Sequence, residues 1–431
     1  MPLLHKSDER IKELYPNNLE LQQVVLVHRH GARTPVHKDL SNILYQGLWH
    51  QCSMKPMLEA FQQLQNVNEA HSMEHPAHER PPTFNRIAFA ADLVDSWTSK
   101  QVNGVPSTGK ECFYGQLTDG GKRMMQKLGT RLRDLYVDKL HVLPAVLQDS
   151  KLYLRSTDYS RTIESLQYLL HGLYPSQFRD GYGLKIHVFP DKNETMFPHN
   201  ACASLAVQTK QFREAFRTSN AQRLSQTLSQ FPLLDKALDS LPMMNRIFRI
   251  YDLLKCMHGN EIELPKGYNK SHIDLLEQVV VDQWARVYDS GEEVSRKAIG
   301  RFVAEMAAPI QDAVAGKPDA PKLAVFSGHD STIVPLLCAF KAFDGSYPDF
   351  ASIVSFELFK SKSFFDRSFY VRMSYNGEPV AIPACQAPDS HLKGDKTICS
   401  IDAFMKEVNR IVPQNYEADC ASNETVAPDW D

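Results

Sequence analysis

Apolar and polar positions along the chain follow two rhythms. Short β-branched runs read as buried strands: QQVVLVH (22–28), KLYLRS (151–156), LKIHVFP (184–190) and KLAVFSG (322–328). Two later runs, SIVSFELFK (352–360) and SFYVRMSYNG (368–377), alternate more and predict an antiparallel pair near a sheet edge. Helical spacing separates the runs. Thr118 to Leu140 opens on a threonine cap and carries apolar positions at Met124, Met125, Leu128, Leu132 and Leu135. Ser160 to Leu173 follows the second strand in the same way. Residues 200–316 are nearly strand-free, with helices predicted over 210–218, 221–230, 242–258, 273–290 and 292–315. The simplest arrangement is a strand–helix core built from both ends of the chain, with the helical middle capping one end of the sheet. Sites in such sheets lie at the carboxyl ends of the strands.

Composition changes this picture only by exclusion. The 431 residues are 43% hydrophobic and 23% charged, ordinary for a globular protein. A net charge of −3 argues against a nucleic-acid partner, so any anion must meet a local basic cluster. No apolar run approaches the roughly 18 residues of a membrane helix, and no integral membrane segment is expected. The N-terminal MPLLHKSDERIKELYPNN has no secretory h-region. Eight scattered cysteines without a CxxC pair exclude a zinc ribbon and fit disulfides, with Cys338 the best candidate for a free buried thiol. Sequons at Asn193, Asn269 and Asn423 add to a preference for a secreted or lumenal glycoprotein over a cytoplasmic one.

Three strand ends carry chemistry. In RHGARTP, His30 ends the first strand and Arg29 and Arg33 flank it with forked donors suited to a tetrahedral oxyanion. Gly31 lets the backbone turn and approach a ligand, and Pro35 sets the loop direction. Fixed positive charge opposes a metal ion here and favours a phosphoryl group, which a neutral imidazole can attack to give a phosphohistidine. In LAVFSGHDSTIVPLL, His329 and Asp330 open a helix capped by Asp330 or Ser331. His329 can donate to a phosphoryl oxygen, and Asp330 can protonate a leaving alkoxide. In LYLRSTDYSRTIES, Arg155 adds a third guanidinium. His28 shares the orientation of His30 but reads as structural, and Arg161 as a helix residue behind the site.

These motifs resemble the histidine phosphatase superfamily in its acid-phosphatase branch, marked by RHG-x-R-x-P near the N-terminus and HD in the C-terminal third. Both are intact, as Arg29 to Pro35 and His329-Asp330, and the RST segment at 155–157 and GQLTDGGKRMMQKLGTRLRDLY match as well. The nearest likeness is to the lysophosphatidic-acid and prostatic types. The resemblance implies an α/β fold: a three-layer α/β/α sandwich core with a mostly parallel sheet plus an inserted α-helical cap. Residues 1–199 and 317–431 would form the core and 200–316 the cap. It further implies His30 as nucleophile, Asp330 as proton donor, and Arg29, Arg33, Arg155 and His329 as phosphate ligands. Metal-free, cofactor-free hydrolysis of a small phosphomonoester at acid pH is the activity it implies. Alternatives are a phytase-like phosphatase, a phosphotransferase or mutase, and an inactive phosphate-binding member.

Two other stretches imitate sites. GVPSTGKE (104–111) has the spacing of a phosphate loop but lacks its Ser/Thr, and HSMEHPAHERPP (71–82) is broken by Pro76; both read as surface loops. Phytate would need more basic residues than His37 and Lys38 supply locally. LPMMNRIFRIYDLL (241–254) can line an apolar channel for a lysophospholipid or simply fill the core of the cap.

Overall fold

A computed structural model describes residues 8–37, 40, 52, 112–179, 185–199, 201–364, 368–422 and 424. After a short helix α1 (Asp8–Leu14), β1 (Leu19–Arg29) is buried along its second half, as a strand with neighbours on both sides must be. Helix α2 (Asp119–Arg133) starts on the expected cap, with the Thr118 side chain accepting from the Gly121 N–H, and its last turn widens into a π-helical stretch over Asp134–Lys139. Next come β2 (Leu152–Ser156), α3 (Ser160–Leu173) and β3 (His187–Val188), the last much shorter than the apolar run around it. Five helices follow: α4 (Ala203–Ser219), α5 (Ala221–Leu228), α6 (Pro232–Lys236), α7 (Met243–Gly259) and α8 (Lys270–Val280). The chain then forms α9 (Glu292–Val314), β4 (Leu323–Gly328) and α10 (Asp330–Ala339). It ends in β5 (Ile353–Ser361), β6 (Phe369–Tyr375), β7 (Glu378–Val380), β8 (His391–Leu392), β9 (Asp395–Ser400), α11 (Ile401–Ile411) and α12 (Tyr416–Cys420).

The described strands form one sheet in the order β3-β2-β4-β1-β5-β6-β9-β8, with β7 on β6. The α/β class is as expected, but the sheet is mixed. β3, β2, β4 and β1 run parallel, while every pairing from β1–β5 outward is antiparallel. The β5–β6 pair forms as predicted, but not at an edge, because β9 and β8 extend the sheet beyond it.

Alternation along β1 supplies both faces. Val24 and Leu26 pack with α2 and α3, whereas Val25 and Val27 pack with α9, α10 and α11. These are the three layers. Helix α9, grouped at the sequence level with the inserted helices, buries Phe302, Val303, Met306 and Ile310 on the sheet. Helices α5 to α8 pack around Leu224, Ile247, Leu254 and Leu276, in a cluster that also takes in Ala32, Leu40 and Phe350. Disulfides join Cys52 to Cys112, Cys202 to Cys420 and Cys385 to Cys399. Cys338 is free and buried as expected, and so is Cys256, which the sequence did not single out. The stretches at 71–82 and 104–111, Lys38 and Asn423 lie outside the described residues.

Candidate active site

Parallel pairing aligns the ends of three strands. Arg29 lies opposite Gly328 and Ser156 opposite Ser327, so His30, Thr157 and His329 emerge side by side. The His30 N–H still bonds to the Gly328 carbonyl at 3.0 Å, continuing the ladder by one residue. Gly31 is needed for packing. A Cβ there would lie 2.5 Å from the carbonyl oxygen of Gly121, and a Cβ on Gly121 would lie 2.0 Å from that of Ala32. The loop after β1 is thus pressed onto the first turn of α2. From the other side, the Gly31 N–H donates to Ser165 Oγ of α3 at 3.1 Å.

The His30 imidazole is nearly fully buried and lines a cavity of about 150 Å3 with Arg33, Tyr159, Arg161, Phe197, His329 and Asp330. Its Nδ1 lies 2.8 Å from the Gly31 carbonyl oxygen. A carbonyl only accepts, so Nδ1 carries the proton and Nε2 is left with a lone pair. Burial, then the charges of Arg161, Arg29, His329 and Arg33, hold this histidine well below the ordinary imidazole range. It therefore stays neutral in acid. His28 is fully buried, bonded through Nδ1 to the Arg29 carbonyl at 3.1 Å, and absent from the cavity lining, which agrees with a structural reading.

Three guanidinium groups lie at the site, Arg33 and Arg161 in the cavity lining and Arg29 on Asp330, but they are not the expected three. Arg29 donates to the Pro348 carbonyl at 2.6 Å, pairs with Asp330 Oδ2 at 2.6 Å and stacks 4.5 Å over Phe350. Arg33 pairs with Asp252 of α7 at 2.9 Å and lies 3.3 Å from the Cys256 thiol. The third is Arg161, in the first turn of α3, 4.7 Å over the Tyr159 ring and 3.5 Å from His329 Nδ1. Among the described residues it has no carboxylate within ion-pair distance. Burial, then repulsion from Arg33, lowers even its guanidinium to about 10. This charge faces the cavity beside His30.

Arg155 is not brought to the site, which corrects the expectation for it. Its side chain is fully buried on the α9 face of the sheet, with Nη2 at 2.6 Å from Glu194 and Nε at 3.1 Å from Glu305. Both carboxylates are remote in sequence, so nothing near residue 155 announces them. Glu194 Oε1 also accepts from the backbone N–H groups of Thr195 and Met196, and the clamp fixes the segment that presents Phe197 to the cavity. The signal for Arg161 was present: it opens the helix that directly follows a parallel strand, where anions gather.

His329, not Asp330 or Ser331, caps α10, and its N–H donates to Thr332 Oγ1 at 3.0 Å. Its Nε2 lies 2.9 Å from Thr157 Oγ1, and Nδ1 faces Arg161, which can only donate. Nε2 therefore holds the proton, and burial, then Arg161, hold this ring well below the ordinary imidazole range. Asp330 accepts from Tyr347 Oη at 2.8 Å in addition to its pair with Arg29. Burial alone would raise its carboxyl, but Arg29 and Tyr347 pull it down to about 2.

Comparison with known proteins decides what this arrangement is. The family model of the histidine phosphatase superfamily, branch 2, matches residues 20–376. The chain belongs to that superfamily. Histidine phosphatases of similar sequence include a probable acid phosphatase from Schizosaccharomyces pombe, 26% identical over 94% of this chain and 95% of that protein. Human lysophosphatidic acid phosphatase type 6 is also 26% identical, over 95% of this chain and 88% of that one. Among solved structures, Hafnia alvei phytase shares the fold at a TM-score of 0.58 and 13% identity, covering 94% of this chain and 99% of its own. This histidine phosphatase is accordingly an enzyme, a phosphomonoester hydrolase of the acid-phosphatase kind.

Proposed function

We propose that the protein hydrolyses small phosphomonoesters through a covalent phosphohistidine on His30, with Asp330 as proton donor. One observation carries the reading: an imidazole of fixed tautomer opens on a cavity lined by Arg33 and Arg161, and Arg161 has no carboxylate within ion-pair distance among the described residues. A phosphate dianion supplies a counter-ion. With Arg29, Arg33 and Arg161 on its oxygens, the phosphorus is attacked by the Nε2 lone pair. The N–P bond forms as the bond to the leaving oxygen breaks, and Asp330 hands its proton to that oxygen. A water then attacks the phosphohistidine, gives its proton to Asp330, and releases inorganic phosphate and neutral His30.

Paired with Arg29, Asp330 is held at about 2, the wrong protonation state for this task. Substrate resolves the conflict. A phosphate that recruits Arg29 competes with the Asp330 carboxylate and adds negative charge beside it, and both effects raise its pKa. Asp330 is thereby protonated as substrate binds, and the reaction needs acid to supply that proton. His329 follows the same logic, since the dianion favours its imidazolium and turns Nδ1 into a donor to phosphate.

Three disulfides, together with exposed sequons at Asn193 and Asn269, support an oxidising compartment, lumenal or secreted. The test is phosphate release from p-nitrophenyl phosphate and an alkyl phosphate between pH 4 and 7, with acid-quenched and alkali-quenched phosphoenzyme collected in parallel. The reading requires an acid-labile, alkali-stable phosphoenzyme that is absent from His30→Ala. Turnover that survives His30→Ala, or a profile that rises towards alkaline pH, would overturn it.

A further inference from the structure

Helix α7 meets the loop after β1 with one stripe of polar side chains. Asp252, Cys256 and Asn260, the last at the C-cap, follow one another at four-residue spacing and so share a face. The apolar residues of 241–254 lie elsewhere on the helix. Ile247, Ile250, Leu253 and Leu254 fill the core of the helical segment, while Met244 and Phe248 line a cavity of about 370 Å3 beside Arg29, Arg33 and Asp330.

The polar stripe ends on residues 33–36. Asp252 Oδ1 accepts from Arg33 Nη1 at 2.9 Å, and its Oδ2 accepts from the Val36 backbone N–H at 2.8 Å. Arg33 Nη1 also donates to Cys256 Sγ at 3.3 Å, and that thiol donates to Asp252 Oδ1 at 3.7 Å. Asn260 Nδ2 donates to the Arg33 carbonyl at 3.0 Å, and Asn260 Oδ1 accepts from Thr118 Oγ1, the cap of α2. Backbone bonds hold the loop on its other edge, from the Thr34 N–H to the Gln116 carbonyl at 2.9 Å and from the Gly115 N–H to the Pro35 carbonyl at 2.8 Å.

This grip divides the Arg33 guanidinium. Nη1 is engaged within the protein by Asp252, Cys256 and the Thr34 carbonyl at 2.9 Å. Nε is buried without a hydrogen-bond partner among the described residues, and Arg33 lines the cavity at His30. With Nη1 engaged, Nε and Nη2 remain as the forked donors for an oxyanion. The Phe350 ring, 5.9 Å from Arg33 Cζ, adds contact but no directional bond. Of the groups on Nη1, Asp252 alone is charged, and it is anchored to the loop through its other oxygen as well. It therefore sets which nitrogens are turned away from α7.

We propose that Asp252 is a positioning residue for phosphoryl transfer: it fixes Arg33 through Nη1 and the loop through the Val36 N–H, and so presents Nε and Nη2 to the phosphate. This rests on the phosphatase reading of the site and adds a residue to it. Asp252 does not touch the phosphate and acts through Arg33. Without it, Arg33 keeps only neutral partners, a thiol and the carbonyl next to it in the chain.

Asp252→Asn tests this, because it keeps the size of the side chain but offers one acceptor where Arg33 and Val36 use two. For p-nitrophenyl phosphate, kcat/KM should fall by about 10- to 100-fold. Tungstate, a tetrahedral oxyanion that is not hydrolysed, should bind about tenfold more weakly by calorimetry. In an Arg33→Ala background the same substitution should cost less than about twofold on either readout, since its route to the phosphate is gone. A merely structural aspartate would cost the same in both backgrounds. Wild-type values for Asp252→Asn, or equal losses with and without Arg33, would overturn the proposal. If Asp252→Asn does not fold, Asp252→Glu takes its place, keeping the charge and displacing the carboxylate by a methylene. A loss for Asp252→Glu that disappears in the Arg33→Ala background supports positioning, and wild-type kinetics for Asp252→Glu reject it. A wild type inert towards p-nitrophenyl phosphate would sink the phosphatase reading alone. Tungstate then still decides: weaker binding to Asp252→Asn supports the role of Asp252, and binding equal to wild type contradicts it.

Discussion

Arg155 and Arg161 stand six residues apart in LYLRSTDYSRT and meet opposite fates. Arg155 ends a strand with its side chain on the α9 face, between Glu194 and Glu305, whereas Arg161 opens the next helix and faces His30. Their substitutions should separate cleanly. Arg155→Ala leaves a buried carboxylate unpaired and should cost about 3–5 kcal/mol of stability, read as a lower thermal midpoint. Arg161→Ala should leave the midpoint near wild type and lower kcat/KM for p-nitrophenyl phosphate by about 100- to 1,000-fold. Asp330 and Tyr347 provide a second contrast. Asp330→Asn should spare p-nitrophenyl phosphate, whose leaving group departs unaided, and penalise an alkyl phosphate; equal losses on both would remove Asp330 from the donor role. Tyr347 Oη stabilises the charged form of Asp330, so Tyr347→Phe raises the carboxyl pKa. The alkaline limb of kcat for an alkyl phosphate should then move to higher pH. At this scale His30, Arg29, Arg33, His329 and Asp330 were legible, because adjacent residues at strand ends carry their own geometry. Arg155 was misread because the carboxylates that claim it come from elsewhere in the chain.

Between elements, α2 and α3 hold the loop that carries His30, through the close approach of Gly121 and the Ser165 bond. In the same helix pair lies Glu164, 1% exposed, with no hydrogen-bond partner on either carboxylate oxygen among the described residues. Burial raises it to about 7; Lys122 opposes the shift and Asp119 adds to it, while burial, then Glu164, raises Tyr168. A carboxyl raised in the folded state binds more protons than the unfolded chain between about 4.5 and 7. Its contribution to stability is complete below that window and lost as pH rises through it, on the order of 3 kcal/mol at the top. Denaturation at pH 4.5 and 8 should therefore show wild type losing more stability than Glu164→Gln over that interval. Equal losses would mean that the site is solvated or paired. The strand–helix alternation around these elements was readable from period alone. β8 and β9 were not, because two and six residues beside a disulfide give too little pattern to count.

For the molecule as a whole, the strand ends present His30 and His329, and residues of α4 and α7 line a cavity beside Arg29, Arg33 and Asp330. The Cys202–Cys420 disulfide ties the start of α4 to the last described helix, closing a loop of 218 residues. Cys202→Ser/Cys420→Ser should cost about 2–5 kcal/mol, read by denaturant melts under non-reducing conditions. The strands at both ends of the chain and the run of helices between them followed from where strand-like runs stop and resume. The packing of α9 on the sheet did not, since a buried helix has the same period whichever layer it joins.

The central claim is that phosphate passes through His30 before it reaches water. The stereochemical course at phosphorus reads this directly. A phosphomonoester made chiral with oxygen isotopes is hydrolysed at pH 5, the intermediate is captured by an acceptor alcohol, and the configuration of the product ester is determined. Two displacements, on His30 and then from it, predict overall retention. Net inversion would mean that the acceptor attacks the substrate directly and that His30 forms no covalent intermediate.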